Sequence, residues 1–414
     1  MGFKRTGIRT TKKVLRFIIK MLQFIFSFIL GILAGTLTGL IPGIHTNLIS
    51  IIILSISTLL FPSINVTLLI IFIVSMNITH TFLDFIPSIF LGCPDTDTEL
   101  SILPGHRLLK KGLGYQAVIL SVYGSIFAIF ILFLILIPSI FFLPIINNKI
   151  QFFIPYFLIL TTIILILTES HKIKSLIIFS ISGILGIATL NHSQINQPLL
   201  PILTGLFGSS TLILSIKNKV NIPEQKISTP KTNPTKPLLA SLISAPLCSF
   251  LPGLGSGQAA IIANTIIKTT QKEFLILLGA INTLVMGFSF IAFYSISKTR
   301  TGATVAIQEI IGQPSNHTLK IILITIFFSS ILAFFITKIL AKIIAQKITK
   351  LNYTILSLLT LLLLTNIILI VSKFPGLFIF IISTLLGILC IKLKVRRTQM
   401  MGCLLMPTII WYLG

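Results

Sequence analysis

Apolar positions in this chain follow one another without the two-residue alternation of half-buried strands. Runs at about residues 17–41, 48–61, 64–83, 115–143, 152–168, 175–190 and 198–216 precede a polar gap. Further runs lie at about 238–251, 258–267, 274–297, 319–341, 353–372, 376–391 and 400–413. Several approach the roughly 20 residues that cross about 30 Å of hydrocarbon as a helix, while the shorter ones suit half-helices or re-entrant segments. The pattern predicts an all-α, polytopic integral membrane protein of about ten transmembrane helices plus broken elements. A membrane β-barrel is excluded because barrel strands alternate apolar and polar residues.

The interruptions repeat. "LTGLIPGIHTN" (37–47) and "LCSFLPGLGSGQAA" (247–260) each place Pro-Gly inside an apolar stretch, one early in each side of the polar segment 217–237. Proline lacks an N–H and breaks the preceding turn, and glycine permits the reversal after it. The helix that resumes there starts with unpaired N–H groups and about half a positive charge, an end suited to carboxylate or phosphate. Thr46 or Asn47 in the first element and Ser256 in the second are suitable caps. Asn77 lies 35 residues after Pro42 and Asn282 lies 30 after Pro252, and seven residues beyond each stand Asp84 and Ser289. Paired interrupted segments in two halves point to a transporter's binding site. The expected organisation is a basic cytoplasmic N-terminus (1–16), a first membrane repeat (17–216), a cytoplasmic linker (217–237) and a second repeat (238–414), the halves being pseudo-symmetric. Inversion of the two repeats would require an odd number of crossings in the first. The alternative is that each Pro-Gly joins two helices at the bilayer surface.

Composition agrees with the pattern: 54% of residues are hydrophobic and 10% charged, against about 25% charged in soluble domains. The net charge of +24 comes from 32 Lys and Arg against 8 Asp and Glu. The basic residues cluster at helix ends and loops, including Lys4, Arg5, Arg9, Lys12, Lys13 and Arg16 ahead of the first run. Under the positive-inside rule this places the N-terminus in the cytoplasm and the chain in the cell (plasma) membrane as a multi-pass protein. No basic patch carries an aromatic platform, so nucleic-acid binding is not expected. No small-residue cleavage site follows the first run, which reads as a retained helix. The four cysteines, Cys93, Cys248, Cys390 and Cys403, show no C-x-x-C spacing and read as small packing residues.

Each of the eight acids can be placed. Asp84 follows Asn77 and His80 at helical spacing in "SMNITHTFLDF", and a charged group within hydrocarbon faces a pathway, a partner or a coupling ion. Asp95, Asp97 and Glu99 alternate after Pro94 in a loop, where they suit a gate or substrate contact, a solvated turn, or a divalent metal with phosphate. Glu169 and Glu224 stand beside lysines and read as solvated. Glu273 suits the start of a helix, and Glu309 lies in "GATVAIQEIIG", a counterpart of the 88–112 loop. His106, His171, His192 and His317 read as exposed loop residues. No zinc motif, P-loop or nucleophile elbow is present, and no catalytic residue, metal site or cofactor is expected.

These elements resemble the large membrane subunit of the tripartite tricarboxylate transporters, the TctA-like family. The resemblance rests on "GTLTGLIPGI" (35–44), "SIFLGCPDTDTELSILPGHRLLKKGLGYQAV" (88–118) and "FLPGLGSGQAA" (250–260). Gly35, Gly39, Pro42 and Gly43 match the opening stretch; Gly105, Leu108, Lys110 and Gly112 approximate the Gly-x-x-Leu run; and Pro252, Gly253 and Gly255 resemble the second Pro-Gly element. Pro94-Asp95-Thr96 stands where that family usually has Pro-Gly-Thr, and His45 where it has a small or apolar residue. The resemblance implies a permease for carboxylates driven by an ion gradient, with a small membrane subunit and an extracytoplasmic binding protein as partners.

The expected function is secondary transport of small organic anions, di- or tricarboxylates, coupled to Na+ or H+. Substrate contacts are expected from Pro42, Gly43, His45, Thr46 and Asn47 in the first half and from Pro252, Gly253, Gly255, Ser256, Gly257 and Gln258 in the second. The coupling ion is assigned to Asn77, His80, Asp84, Asn282 and Thr283, and the loop or gate to Pro94, Asp95, Asp97 and Glu99. A homo-oligomer is compatible with the sequence. Two other readings stand beside this one: a metal-dependent membrane enzyme acting on a lipid-linked phosphate through Asp95, Asp97 and Glu99, and a non-transporting scaffold.

Overall fold

The computed structural model describes residues 3–41, 49–50, 65–92, 98–150, 153–167, 169–190, 197–217, 222–250, 256–348 and 353–413. Among these the chain is helical and contains no strand. Helix α1 (Phe3–Leu40) is followed by α2 (Val66–Leu83), which continues after Asp84 into α3 (Phe85–Phe90). A 3-10 turn and the short α4 (Ile102–Leu109) lead into the long α5 (Gly114–Ile150). Then come α6 (Ile154–Leu167), α7 (Lys172–Leu190) and α8 (Leu199–Leu203), which passes through a π turn (Thr204–Ser209) into α9 (Ser210–Lys217).

After the polar segment lie α10 (Thr235–Phe250), α11 (Ser256–Ile266) and α12 (Gln271–Ile296). The chain ends in α13 (Gly302–Ile311), α14 (Asn316–Lys347), α15 (Tyr353–Lys392), a 3-10 turn (Arg397–Met401) and α16 (Gly402–Leu413). Seven described helices are long and apolar enough to cross a membrane, with shorter apolar helices between them. The chain is therefore an all-α, polytopic membrane protein, as the unbroken apolar runs imply.

Helix starts follow local chemistry. Thr270 and Glu273 form a reciprocal capping box at α12, and Thr301 and Thr304 form one at α13. Lys373 interrupts α15 with φ 56°, just ahead of Pro375-Gly376. Leu364, before the interruption, packs on Leu212, while Gly387, after it, lies against Leu206 and Ser210. The helix therefore folds back on itself there.

Without a hydrophobic drive inside lipid, helices associate through small residues that admit close backbone approach. Gly31, Gly35 and Gly39 form such a stripe on α1, meeting Phe72, Met76 and Leu83 of α2 in order, so α1 and α2 run in the same sense. Gly124 of α5 lies on the Ile276 carbonyl of α12, Ser125 donates to the Gly279 carbonyl, and Leu132 meets Gly287, so α5 and α12 are again parallel. Helix α14 runs against α5, since Tyr123 stacks on Phe334 and Phe133 meets Phe327 edge-on. It runs with α2: Thr67 and Ile71 share a groove with Ile321 and Thr325, whereas Ile86 and Phe90 share one with Ile344 and Lys347. Helices α1 and α2 therefore run opposite to α12. Helix α10 begins beside the start of α12, where Lys236 acts on Glu273.

The polar segment is docked along part of its length. Gln225 accepts a hydrogen bond from the Gly114 amide (2.7 Å) and donates to the Leu109 carbonyl, and the Lys226 amide donates to Gly112 (2.8 Å). Gly112 turns there with φ 72°, its Cα facing the Glu224 carbonyl. This end of the bundle holds the linker, α4 and the starts of α5, α10 and α12. Because α1 runs with α2 toward that end, its own start lies at the opposite end. Glu169 departs from its expected solvation. It is 5% exposed and pairs with Arg396 at 3.4 Å, because the turn before α7 packs beneath the C-terminal 3-10 turn.

His106 also departs from the exposed reading. Its Nε2 is buried facing Gly92, and no described residue bonds it. Burial first, then the charges of Arg397 and Lys110, hold its pKa down to about 3. The unfolded chain binds that proton near the ordinary 6.5, so the contribution to stability is present above pH 6.5 and is lost as pH falls toward 3. Thermal melts of the purified protein between pH 7 and pH 4 are expected to show this acid loss, flattened in His106→Gln. A second prediction concerns packing. A Cβ at Gly279 would overlap backbone at Ser121, whereas at Gly287 it would meet the movable end of Leu132. Gly279→Ala should cost about 3 kcal/mol or more and Gly287→Ala about 1 kcal/mol, read as loss of melting temperature.

Candidate functional site

The break between α2 and α3 is where polar side chains gather inside the bundle. Asp84 caps the end of α2 in helical conformation, so the chain bends there without leaving the core, and its residue is 3% exposed. Its Oδ2 accepts a hydrogen bond from Asn282 Nδ2 at 2.9 Å, and the same amide reaches the Thr81 carbonyl at 3.5 Å. Asn282 is 3% exposed, in the middle of α12. The contact therefore joins the first side of the chain to the second across 198 residues of sequence.

Neighbouring groups extend the network. Ser88 donates to the Asp84 carbonyl and lies 2.6 Å from Thr98, which brings the residue ahead of the 3-10 turn to the break. Asn77 donates to Ser50 (3.3 Å) and to the Ile73 carbonyl (2.8 Å). Ser50 belongs to the helical residues that follow the first Pro-Gly, so Asn77 ties that segment to α2. Ser289 lies 3.3 Å from Thr301 at the start of α13. Asn77 Oδ1, Thr79 Oγ1 and Thr283 Oγ1 are buried, and no described residue bonds them. Such oxygens suit an ion or a ligand that brings its own donors or charge.

The candidate residues do not all converge. Asp84 and Asn282 meet directly. Asn77, His80 and Asp84 share helical spacing yet reach different neighbours: His80 Nδ1 pairs with Thr38 of α1 at 3.1 Å, away from Asn282. Thr283 is buried beside Asn282 in sequence. Ser256 and Gly257 are buried at the start of α11, and Gln258 follows in the same helix with its side chain outside the described residues. Glu99 opens the 3-10 turn, its side chain likewise outside them. Pro42, Gly43, His45, Thr46, Asn47, Pro94, Asp95, Asp97, Pro252, Gly253 and Gly255 all lie outside the described residues. Glu309 is exposed on α13. Among the described residues, no three His, Cys, Asp or Glu side chains group as metal ligands.

Sequence reasoning missed Ser50 and Thr38, the partners of Asn77 and His80. A serine or threonine in an apolar run carries no signal of which helix it will face. The Pro375-Gly376 reversal was visible as a fourth Pro-Gly of the chain, inside an apolar stretch.

A family model described as the tripartite tricarboxylate transporter TctA family matches residues 25–402. The chain is 34% identical over 387 residues to an uncharacterized protein of Methanocaldococcus jannaschii, covering 90% of this chain and 94% of that one. No solved structure matches it.

Removing either partner of the Asp84–Asn282 bond should be costly, because the other is left in a buried setting. Asn282→Ala is expected to lower stability by about 1–3 kcal/mol, and Asp84→Asn less, since an amide oxygen still accepts. A double-mutant cycle on thermal melts should show a coupling above about 0.5 kcal/mol; additive effects would remove the bond from the account.

Proposed function

The chain belongs to the tripartite tricarboxylate transporter TctA family, and from that membership we propose that it is a permease moving small organic anions, di- or tricarboxylates, on a Na+ or H+ gradient. The observation that carries this reading is the family match across nearly the whole chain, joined to a buried carboxylate held by an amide from the other half. The family is a transporter family, which does not support the enzyme alternative. A small membrane subunit and an extracytoplasmic binding protein are the partners that this membership implies.

In this proposal the carboxylates sit between the helix starts that follow Pro42-Gly43 and Pro252-Gly253, with hydrogen bonds from Thr46, Asn47, Ser256 and Gln258. His45 and the backbones of Gly255 and Gly257 complete the contacts. Asn77, Asp84, Asn282 and Thr283 take the coupling ion, His80 supports α2 against α1, and Pro94, Asp95, Asp97 and Glu99 form the gate.

The depths of the described helix ends support a shared cavity. The last turn of α1 lies against Asp84, since a Cβ on Gly39 would touch the Asp84 amide. Asp84 bonds Asn282, which is 11 residues, roughly 16 Å, into α12. Ser256 begins α11 ten residues, roughly 15 Å, from that helix's end beside the start of α12. The helices flanking both Pro-Gly elements thus stop at similar depth, where two amino ends can face one anion. The opposed senses of α2 and α12 likewise support reading the two sides as inverted repeats of approximately 17–216 and 238–414.

Counterflow of radiolabelled citrate or succinate into proteoliposomes tests the proposal. Gradient-driven flux should fall at least about tenfold in Asp84→Asn, about 1.4 kcal/mol in the barrier. It should also fail with bulky substitutions at Gly43 or Gly253 and survive Asp95→Ala with Asp97→Ala. Flux indifferent to Asp84, or metal-dependent turnover without flux, would overturn it.

A further inference from the structure

At the linker end of the bundle, away from the Asp84–Asn282 contact, a pocket of about 250 Å³ opens between α4, the α11–α12 turn and the C-terminal 3-10 turn. Arg107, Arg396 and Arg397 line it, together with Asn264, Thr270 and Gln271. The chain has only seven arginines among its 32 basic residues, and three of them meet here. The guanidinium is a planar fork matched to carboxylate and phosphate oxygens, a recognition that lysine does not reproduce.

The described acids meet only part of this charge. Among the described residues no carboxylate lines the pocket. Glu169 is taken by Arg396 at 3.4 Å, and Glu273 is held in the α12 capping box by the Thr270 amide at 2.8 Å. Arg397 sits deeper, donating from Nη1 to the Phe207 carbonyl at 3.1 Å, and burial lowers its pKa to about 10. A guanidinium drawn out of water beside an open cavity costs free energy, and an anion in that cavity lowers the cost. The amino end of α12 adds positive potential to the same space. A lining that mixes polar groups with Leu100 and Phe274 suits a group entering from the edge of the hydrocarbon.

We propose that Arg107, Arg396 and Arg397 hold a phosphate group in this pocket, carried by an anionic phospholipid headgroup or present as free phosphate. The site is separate from the transport centre, since Asn282 lies 11 residues, roughly 16 Å, along α12 from Gln271.

The full chain, purified in a neutral detergent, is melted with phosphatidylglycerol, with phosphatidylcholine, and with inorganic phosphate at ionic strength matched by chloride. A saturable rise of a few degrees with phosphatidylglycerol and not with phosphatidylcholine or phosphate supports the site and assigns it to lipid. The same rise with phosphate alone supports it and assigns it to the soluble ion. Arg107 is exposed, so Arg107→Gln should fold normally and raise the half-saturating concentration at least about tenfold, the scale of one lost charge-assisted contact. Arg397→Lys keeps the charge, loses the fork and should weaken binding in the same direction. No rise with either ligand, or an equal rise in both variants, would overturn the proposal.

Discussion

Hydrocarbon supplies no hydrogen bonds, so every polar group carried into the bundle must find a partner inside the protein. The bond between Asp84 and Asn282 is where that constraint bears hardest, because it holds a carboxylate at a helix break. The bond requires α2 and α12 to meet, and neither helix is free to shift. Helix α2 is registered against α1 by the Gly31, Gly35 and Gly39 stripe, and α12 against α5 by Gly124 and Gly279. Backbone contacts between small residues tolerate little sliding, since a displacement of one residue replaces glycine with a side chain. The polar pair is thus held at its depth by apolar packing.

The pairings on the two sides of the linker correspond. Helix α1 packs along α2 as α10 packs beside α12, and α2 lies with α14 as α12 lies with α5. The peripheral helices repeat the scheme. Helix α7 runs with α16, where Phe179 meets Gly402 and Gly183 meets Met406, and the π turn and α9 run with the second arm of α15, where Gly205 meets Ser383 and Gly387 meets Ser210. These peripheral pairs, like α2 with α14 and α5 with α12, cross from one side of the linker to the other in sequence, so neither side buries its surface alone. Even the short helices exchange: α4 receives Gln271 of α12 on its Pro104 carbonyl, while α13 packs on α2.

The sequence made some of this legible because its signal is local. Long apolar runs, Pro-Gly interruptions and a polar gap each follow from what hydrocarbon tolerates, and the all-α membrane fold follows from them. Asn77, Asp84 and Asn282 could be singled out because a polar residue inside an apolar run has no bland explanation. Which of them would touch was not legible. Helical spacing put Asn77, His80 and Asp84 on one stripe, yet α2 is enclosed on several sides, and the stripe divides between Thr38, Ser50 and Asn282. Glu169 looked like a loop residue because its covering element, the turn at Arg396 and Arg397, lies more than 200 residues away in the chain. Burial by a distant segment leaves no local trace.

The linker decides more than its polar composition suggests. Among the described residues, α1 starts away from the linker end of the bundle, and α9 precedes the segment docked there. The docking of Gln225 and Lys226 on the α4–α5 turn then delivers α10 beside the start of α5. From that entry point α10 and α12 must run opposite to α1 and α2, and α12 must run alongside α5. A linker free in solution would allow the second side to enter anywhere on that face; a docked one fixes its register against the first. The opposed senses of α2 and α12 that bring Asp84 to Asn282 thus accord with an entry point fixed at the surface, where Gln225 and Lys226 bond Gly114 and Gly112.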